Sequence, residues 1–328
     1  MSYDVITFGE AMLRLSPPNF RRLEQARTFE VQGGGAELNT AVALARLGRS
    51  AAWVSRLTRN PLGRLIANQA HEAGVSTEHI IWTDEDRIGV YFLEFGAAPR
   101  ASSVVYDRKG AAIANIRPGE VPWSKVFAGA RWFHVTGITP ALSSFAAETT
   151  REALQAARAA KVSISIDLNY RSKLWSQEDA YRWMHDFMQL CDVLITTEED
   201  TEKVLQITGI DYEEVAGKLA RTYPLKVVAI TLRENPLVWK NSWTAIAYSQ
   251  GKFFRTRTYE VEIVDRLGAG DSFAAGLIHG LLDGDPQKGL DYGVAVSALK
   301  HSIPGDFAWI TREEVEALVR GAGLRISR

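Results

Sequence analysis

Short apolar runs of β type alternate along this chain with stretches of helical period. Val5–Phe8, Ala51–Ser55, Trp132–Thr136, Val162–Asp167, Val193–Thr196 and Val227–Leu232 are predicted strands. Between them, Glu37–Leu47 carries Ala41 and Ala45 on one face with Leu44 and Leu47 beside them, a helical pattern. Leu62–Ala73 spaces Leu65, Ile66 and Gln69 at helical intervals, and Phe145–Ala160, Ser272–Leu282 and Gly289–Lys300 are further predicted helices. Gly48 and Gly74 follow two of the helices as stop signals. Apolar strands alternating with helices imply a mostly parallel sheet covered on both faces. Ligands of such sheets bind outside the carboxyl ends of the strands.

Two segments break the rhythm. Met12–Leu15 and Thr28–Val31 are β-like pieces around Pro17 and Pro18, and Val90–Phe95 and Ser103–Tyr106 are joined by the turn-rich Gly96–Arg100. They predict a small separate β-sheet, a lid from about 12–33 and 88–110 over a glycine-rich site. No internal repeat of solenoid length is present. The expected fold class is therefore α/β, and the expected organisation is a single domain over 1–328 with that lid.

Composition narrows the function. Lys plus Arg is 38 and Asp plus Glu is 39, so the net charge of −1 argues against a general nucleic-acid binder. Cys191 is the single cysteine, which excludes an intrachain disulfide and a thiolate metal cluster and suits a cytoplasmic protein. The residues after Met1 do not read as a signal peptide. The longest apolar run, Phe273–Leu282, is broken by Gly276, His279 and Gly280, far short of the roughly 18–20 residues of a membrane span.

The strongest chemical signal is Asp265-Arg266-Leu267-Gly268-Ala269-Gly270-Asp271-Ser272 ahead of a helix. The glycines turn the chain tightly and bare backbone N–H groups at a helix N-terminus, where the dipole attracts anions, phosphate foremost. A carboxylate there repels phosphate, unless Asp271 takes a proton from a hydroxyl that attacks the phosphate. Alone, the motif is equally compatible with an N-cap Asp on an ordinary helix. The second signal is Gly33-Gly34-Gly35 followed by Asn39 in a helix of small residues. Glycines allow close backbone approach to a ligand, and Asn39 offers a donor and an acceptor to a sugar hydroxyl. The bland alternative is a flexible loop entering a helix.

Together, Gly9-Glu10, Gly34-Gly35 with Asn39, and Gly268-Ala269-Gly270-Asp271 resemble the ribokinase-like (PfkB) carbohydrate kinases, over essentially the whole chain. Gly34-Gly35-Ala36-Glu37, Tyr106-Asp107-Arg108-Lys109-Gly110, Asp167-Leu168-Asn169-Tyr170-Arg171 and the stretch 298–306 are similar to the 2-keto-3-deoxygluconate kinases within it. The resemblance implies a three-layer α/β/α domain with a β-sheet lid. It implies Mg-ATP as donor, Asp271 as catalytic base and Gly268, Ala269 and Gly270 as anion hole. Gly34, Gly35, Asn39, Tyr91, Tyr106, Arg108 and Arg171 would meet the sugar acid, and Thr231, Arg233, Gly268, Gly270 and Ser297 the nucleotide. Arg14 stands where many neutral-sugar relatives carry Asp, and with Arg108 and Arg171 it suggests a carboxylate partner, which guanidinium suits.

The chain departs from the family pattern at Thr197 and Asp200, where relatives carry Asn and Glu, so the magnesium ligands stay open between Glu199 and Asp200. It departs again at Thr231–Asn235, where relatives have an early glycine. The expected activity is ATP-dependent phosphorylation of 2-keto-3-deoxygluconate on its terminal hydroxyl. Kinases of the same fold for fructose, ribose or a nucleoside, and a non-catalytic sugar-acid sensor, remain open. The open edges and apolar face of the lid sheet predict a homodimer or larger assembly.

Overall fold

The computed structural model describes residues 2–237 and 240–321, with the side chains of 233–237 excepted. Among these, ten strands form one sheet. Its path runs Lys252–Arg255, Lys240–Ser249, Val227–Leu237, Val193–Thr196, Ser163–Asp167, Trp132–Thr136, Val5–Phe8, Ala51–Thr58 and Ile80–Thr83, and Tyr259–Glu262 pairs with Lys240–Ser249 off the path. From Val227–Leu237 to Ile80–Thr83 every pairing is parallel. The other end is antiparallel.

Successive side chains of a strand point to opposite faces, and here both faces are buried. Val227 and Ala229 enter one core while Val228 and Ile230 enter the other. The first core takes helices Ala36–Arg46, Pro61–Glu72, Ala269–Leu282, Pro286–His301 and Arg312–Val319. The second takes Ser144–Ala159, Gln177–Met188 and Tyr212–Thr222. This is a three-layer α/β/α body. No helix among the described residues is long and apolar enough to cross a membrane.

A second sheet of four strands stands apart, in the order Glu30–Gly34, Met12–Ser16, Val90–Glu94, Ser103–Asp107. Its register stacks Gln32, Arg14, Tyr91 and Tyr106 on one face and Val31, Leu15, Phe92 and Val105 on the other. Pleat alternation thus divides it into a polar face and an apolar one.

Boundaries differ from the sequence reading by a residue or two at most elements. The larger omission is the antiparallel edge at 240–262, together with strand Ile80–Thr83 and helices Gln177–Met188, Tyr212–Thr222 and Arg312–Val319. After Thr197 a short helix, Glu198–Asp200, passes into a π-type turn, Thr201–Leu205. Thr197 caps it, its hydroxyl accepting from the Asp200 N–H at 3.1 Å.

Candidate active site

Five of the parallel strands, Val5–Phe8, Trp132–Thr136, Ser163–Asp167, Val193–Thr196 and Val227–Leu237, bring residues to one cavity of about 450 Å³. Glu10, Ile138, Asp167, Thr196, Thr197 and Thr231 come from these strands or just beyond them, Gly268–Asp271 from the start of a helix, and Met12, Tyr91, Tyr106 and Arg108 from the second sheet. The cleft lies where a doubly covered parallel sheet places its ligands.

Asp271 sits in the first turn of helix Ala269–Leu282. Gly268 precedes that helix at φ +80°, left-handed backbone that glycine adopts without strain. A Cβ there would overlap the Asp306 carbonyl, so the position takes no side chain, and none caps the helix. The first-turn amides are therefore left to backbone or ligand. Asn39 Nδ2 donates to Asp271 Oδ2 at 2.7 Å, and the Thr40 hydroxyl donates to the Asp271 carbonyl at 3.2 Å. Burial pushes the Asp271 carboxyl up to about 6, with Asp306 adding to the rise. The Asn39 hydrogen bond, Arg171 and Lys300 pull the other way.

Opposite Asp271, the second sheet supplies an aromatic and cationic wall. The Tyr91 and Tyr106 ring centroids are 5.8 Å apart, and the Arg108 guanidinium lies 5.5 Å from the Tyr106 centroid. Arg108 pairs with Glu10, and its Nε is buried with no partner among the described residues. Arg171 is exposed at the cavity edge, one of its N–H groups donating to the Tyr170 carbonyl at 2.9 Å.

Most of the expected residues converge on this cavity: Gly34, Gly35, Asn39, Tyr91, Tyr106, Arg108, Arg171, Thr231 and Gly268–Asp271 all line it. Several have different partners from those expected. Asn39 donates one amide N–H to Asp271 and so orients the carboxylate. The Tyr91 hydroxyl donates to Asp306 at 2.6 Å. Ser297, expected on the nucleotide, is fully buried behind the loop and donates to the Ala269 carbonyl at 2.8 Å. Arg14, read as a partner for a carboxylate ligand, is itself buried against Asp265 at 2.6 Å and Asp306 at 2.8 Å. The Arg233 side chain lies outside the described residues.

Three residues gain roles that their spacing did not reveal. Glu10 is the buried counter-ion of Arg108, and its carboxyl is raised by burial despite that arginine. Glu37 Oε1 accepts from the Thr136 N–H and hydroxyl, both at 2.9 Å, and from the Thr139 hydroxyl at 2.8 Å. Those bonds tie the Ala36–Arg46 helix to the end of the central strand, while burial pushes Glu37 up to about 7. Asp306 joins Arg14 to Tyr91 and packs over Gly34.

A carboxyl whose pKa rises on folding takes up a proton between the unfolded and folded values. Stability therefore falls as pH rises through that window, here from about 4 to about 6. Asp271→Asn keeps an acceptor for Asn39 and removes the buried charge. Urea unfolding at pH 8 is expected to show the variant more stable than wild type by about 3 kcal/mol, the gain disappearing near pH 4. A variant no more stable at pH 8 contradicts this electrostatic account.

Comparison with known proteins places the site in a family. A 2-dehydro-3-deoxygalactonokinase of Haloferax volcanii is 40% identical over all of both chains. A 2-dehydro-3-deoxygluconokinase of Bacillus subtilis is 31% identical, covering 97% of this chain and 96% of the relative. The crystal structure of a Thermotoga maritima 2-dehydro-3-deoxygluconokinase superposes with a TM-score of 0.95 at 45% identity, covering 98% of each chain. The pfkB family carbohydrate kinase profile matches residues 3–306, and the chain belongs to that family.

Proposed function

We propose that this kinase transfers the γ-phosphoryl group of ATP to the terminal hydroxyl of a 2-keto-3-deoxy sugar acid, 2-keto-3-deoxygluconate first. One observation carries the reading: Asp271, a buried carboxyl poised near neutrality at a helix start, shares its cavity with two arginines, Arg108 and Arg171. The relatives named above act, by name, on the gluconate and galactonate forms of this acid.

The chemistry follows from that arrangement. Asp271 takes the hydroxyl proton as the sugar oxygen attacks the γ-phosphorus, and the bond from the γ-phosphorus to the β,γ-bridging oxygen breaks to release ADP. The amides of Ala269, Gly270 and Asp271 meet the charge growing on the phosphoryl oxygens, with the helix dipole behind them. Arg108, with its free Nε, and Arg171 hold the sugar's carboxylate at the far end. Tyr91 and Tyr106 wall the sugar chain, and the second sheet keeps out water, a competing acceptor. Thr231 lies on the nucleotide side. Among the described residues no cluster of three or more metal-ligating side chains exists. Magnesium needs only one or two carboxylates beside the phosphates, a requirement that Asp167 and Asp200 at the cavity wall meet. There it would neutralise phosphate charge.

The galactonate epimer is the second reading, favoured by the Haloferax relative at 40% identity. The exposed apolar face of the second sheet, with Val31 41% and Val105 53% exposed, fits a second copy of the chain. A cytoplasmic location suits the lone buried Cys191.

A coupled assay of ADP release tests the function. Rapid turnover is expected with 2-keto-3-deoxygluconate or 2-keto-3-deoxygalactonate and little with gluconate, fructose, ribose or adenosine. Arg108→Gln and Arg171→Gln should each raise KM for the acid roughly 10- to 100-fold, the value of a charge-assisted hydrogen bond. Asp271→Asn should abolish turnover while ATP binding persists. Preference for a neutral sugar would overturn the substrate assignment. Light scattering is expected to give the mass of at least two chains, reduced to one by Val105→Lys; a monomeric wild type would contradict the assembly.

A further inference from the structure

Behind the cavity lies a cluster of four buried charged side chains: Arg14, Asp265, Lys300 and Asp306, at 3%, 1%, 0% and 6% exposure. Two cations face two carboxylates, so the cluster is neutral. Arg14 stands on the second sheet, and its guanidinium uses all three nitrogens: on Asp265 at 2.6 Å, on Asp306 at 2.8 Å and on the Ser16 hydroxyl at 2.9 Å. A planar fork bridges two carboxylates in this way; a lysine ammonium on a flexible stem does not.

Asp265 is the hub. Its Oδ1 accepts the Leu267 N–H at 3.0 Å, one residue before the left-handed Gly268. Its Oδ2 accepts the Gly305 N–H at 2.9 Å. Its carbonyl accepts from Lys300 Nζ at 3.3 Å, and the same ammonium donates to the Ile303 carbonyl at 2.9 Å. Asp306 closes the circuit: its carboxylate takes the Tyr91 hydroxyl, and its main-chain carbonyl packs on Gly268. Arg14, Asp265 and Lys300 do not border the cavity, whereas Tyr91, Leu267, Gly268 and Asp306 do.

We infer that Arg14 and Asp265 are positioning residues that fasten the second sheet to the loop entering the anion hole. The sugar wall and the phosphate cradle then have one mutual alignment, set by two buried residues that do not border the cavity themselves. The cluster also explains why an arginine is buried in a strand of so small a sheet: each of its three nitrogens meets an acceptor, and its charge is matched.

The inference rests on the kinase reading for its kinetic readout only. Arg14→Lys keeps the charge and loses the fork; Asp265→Asn keeps the shape and loses the charge. In the double variant Arg14→Met, Asp265→Asn, Lys300 and Asp306 still balance, so it is the variant to read if a single change prevents folding. The first readout is amide hydrogen exchange at 266–270, which needs no sugar and is expected to speed up in each folded variant. The second is kcat per folded molecule, expected to fall on the order of 10²-fold, as misplaced reacting groups cost. ADP released per sugar phosphate formed should rise above one as water gains access. The double variant should be no worse than the poorer of Arg14→Met and Asp265→Asn made singly, because the residues act as a unit. Folded variants with unchanged exchange at 266–270 and kcat within about threefold of wild type would overturn the inference.

Discussion

A carboxylate buried at the positive end of a helix is the constraint around which this molecule is arranged. Asp271 must be withdrawn from water enough to hold a proton near neutrality, yet remain ionised often enough to accept one. Three elements from distant parts of the chain meet that demand. The Ala269–Leu282 helix supplies its dipole, the Ala36–Arg46 helix supplies Asn39, and the parallel sheet brings both helices to the carboxyl ends of its strands. Burial of a like charge, Asp306, nearby would make the site untenable without compensation, and Arg14 and Lys300 provide it.

The second sheet is held to the body by ionic contacts as well as by the packing of Leu13 and Val90 on the main core. Arg14 reaches Asp265 and Asp306, Arg108 reaches Glu10, and the Tyr91 hydroxyl reaches Asp306. Hydrogen-bonded charge pairs have defined geometry where apolar contacts slide, which matters for a wall that must align a sugar with a phosphate. On the opposite face Val31 and Val105 stay exposed.

Much of this was legible in the sequence, for physical reasons that differ from place to place. The central strands could be read because burial on both faces leaves them apolar throughout, as at Val227–Ile230. Gly268-Ala269-Gly270-Asp271 could be read because the chemistry is local: turn, bare amides and carboxylate follow one another within four residues. What lay hidden depends on partners far apart in the chain. Asn39 reads only as a sugar ligand until one of its amide N–H groups is seen to hold Asp271, 232 residues away. Arg14 reads as a ligand for an acidic substrate until Asp306, 292 residues away, is found beside it. Ser297 lies on the helix behind the loop, and only tertiary packing turns its hydroxyl to the Ala269 carbonyl. The antiparallel edge at 240–262 was missed because its pattern is neither a buried run nor tied to any motif.

The most direct test of the account is the pH dependence of kcat/KM for wild type and Asn39→Ala, measured side by side with the same sugar acid. Asn39 holds the carboxyl of Asp271 down by donating to its charged form, so its removal must raise that group further. The account predicts that wild-type activity falls away below about pH 6 and that in Asn39→Ala this acidic limb moves to higher pH. Groups of the substrates titrate alike in both enzymes and cancel in the comparison. An acidic limb at the same pH in both, or none near pH 6 in the wild type, would contradict Asp271 as the base that this fold is built to tune.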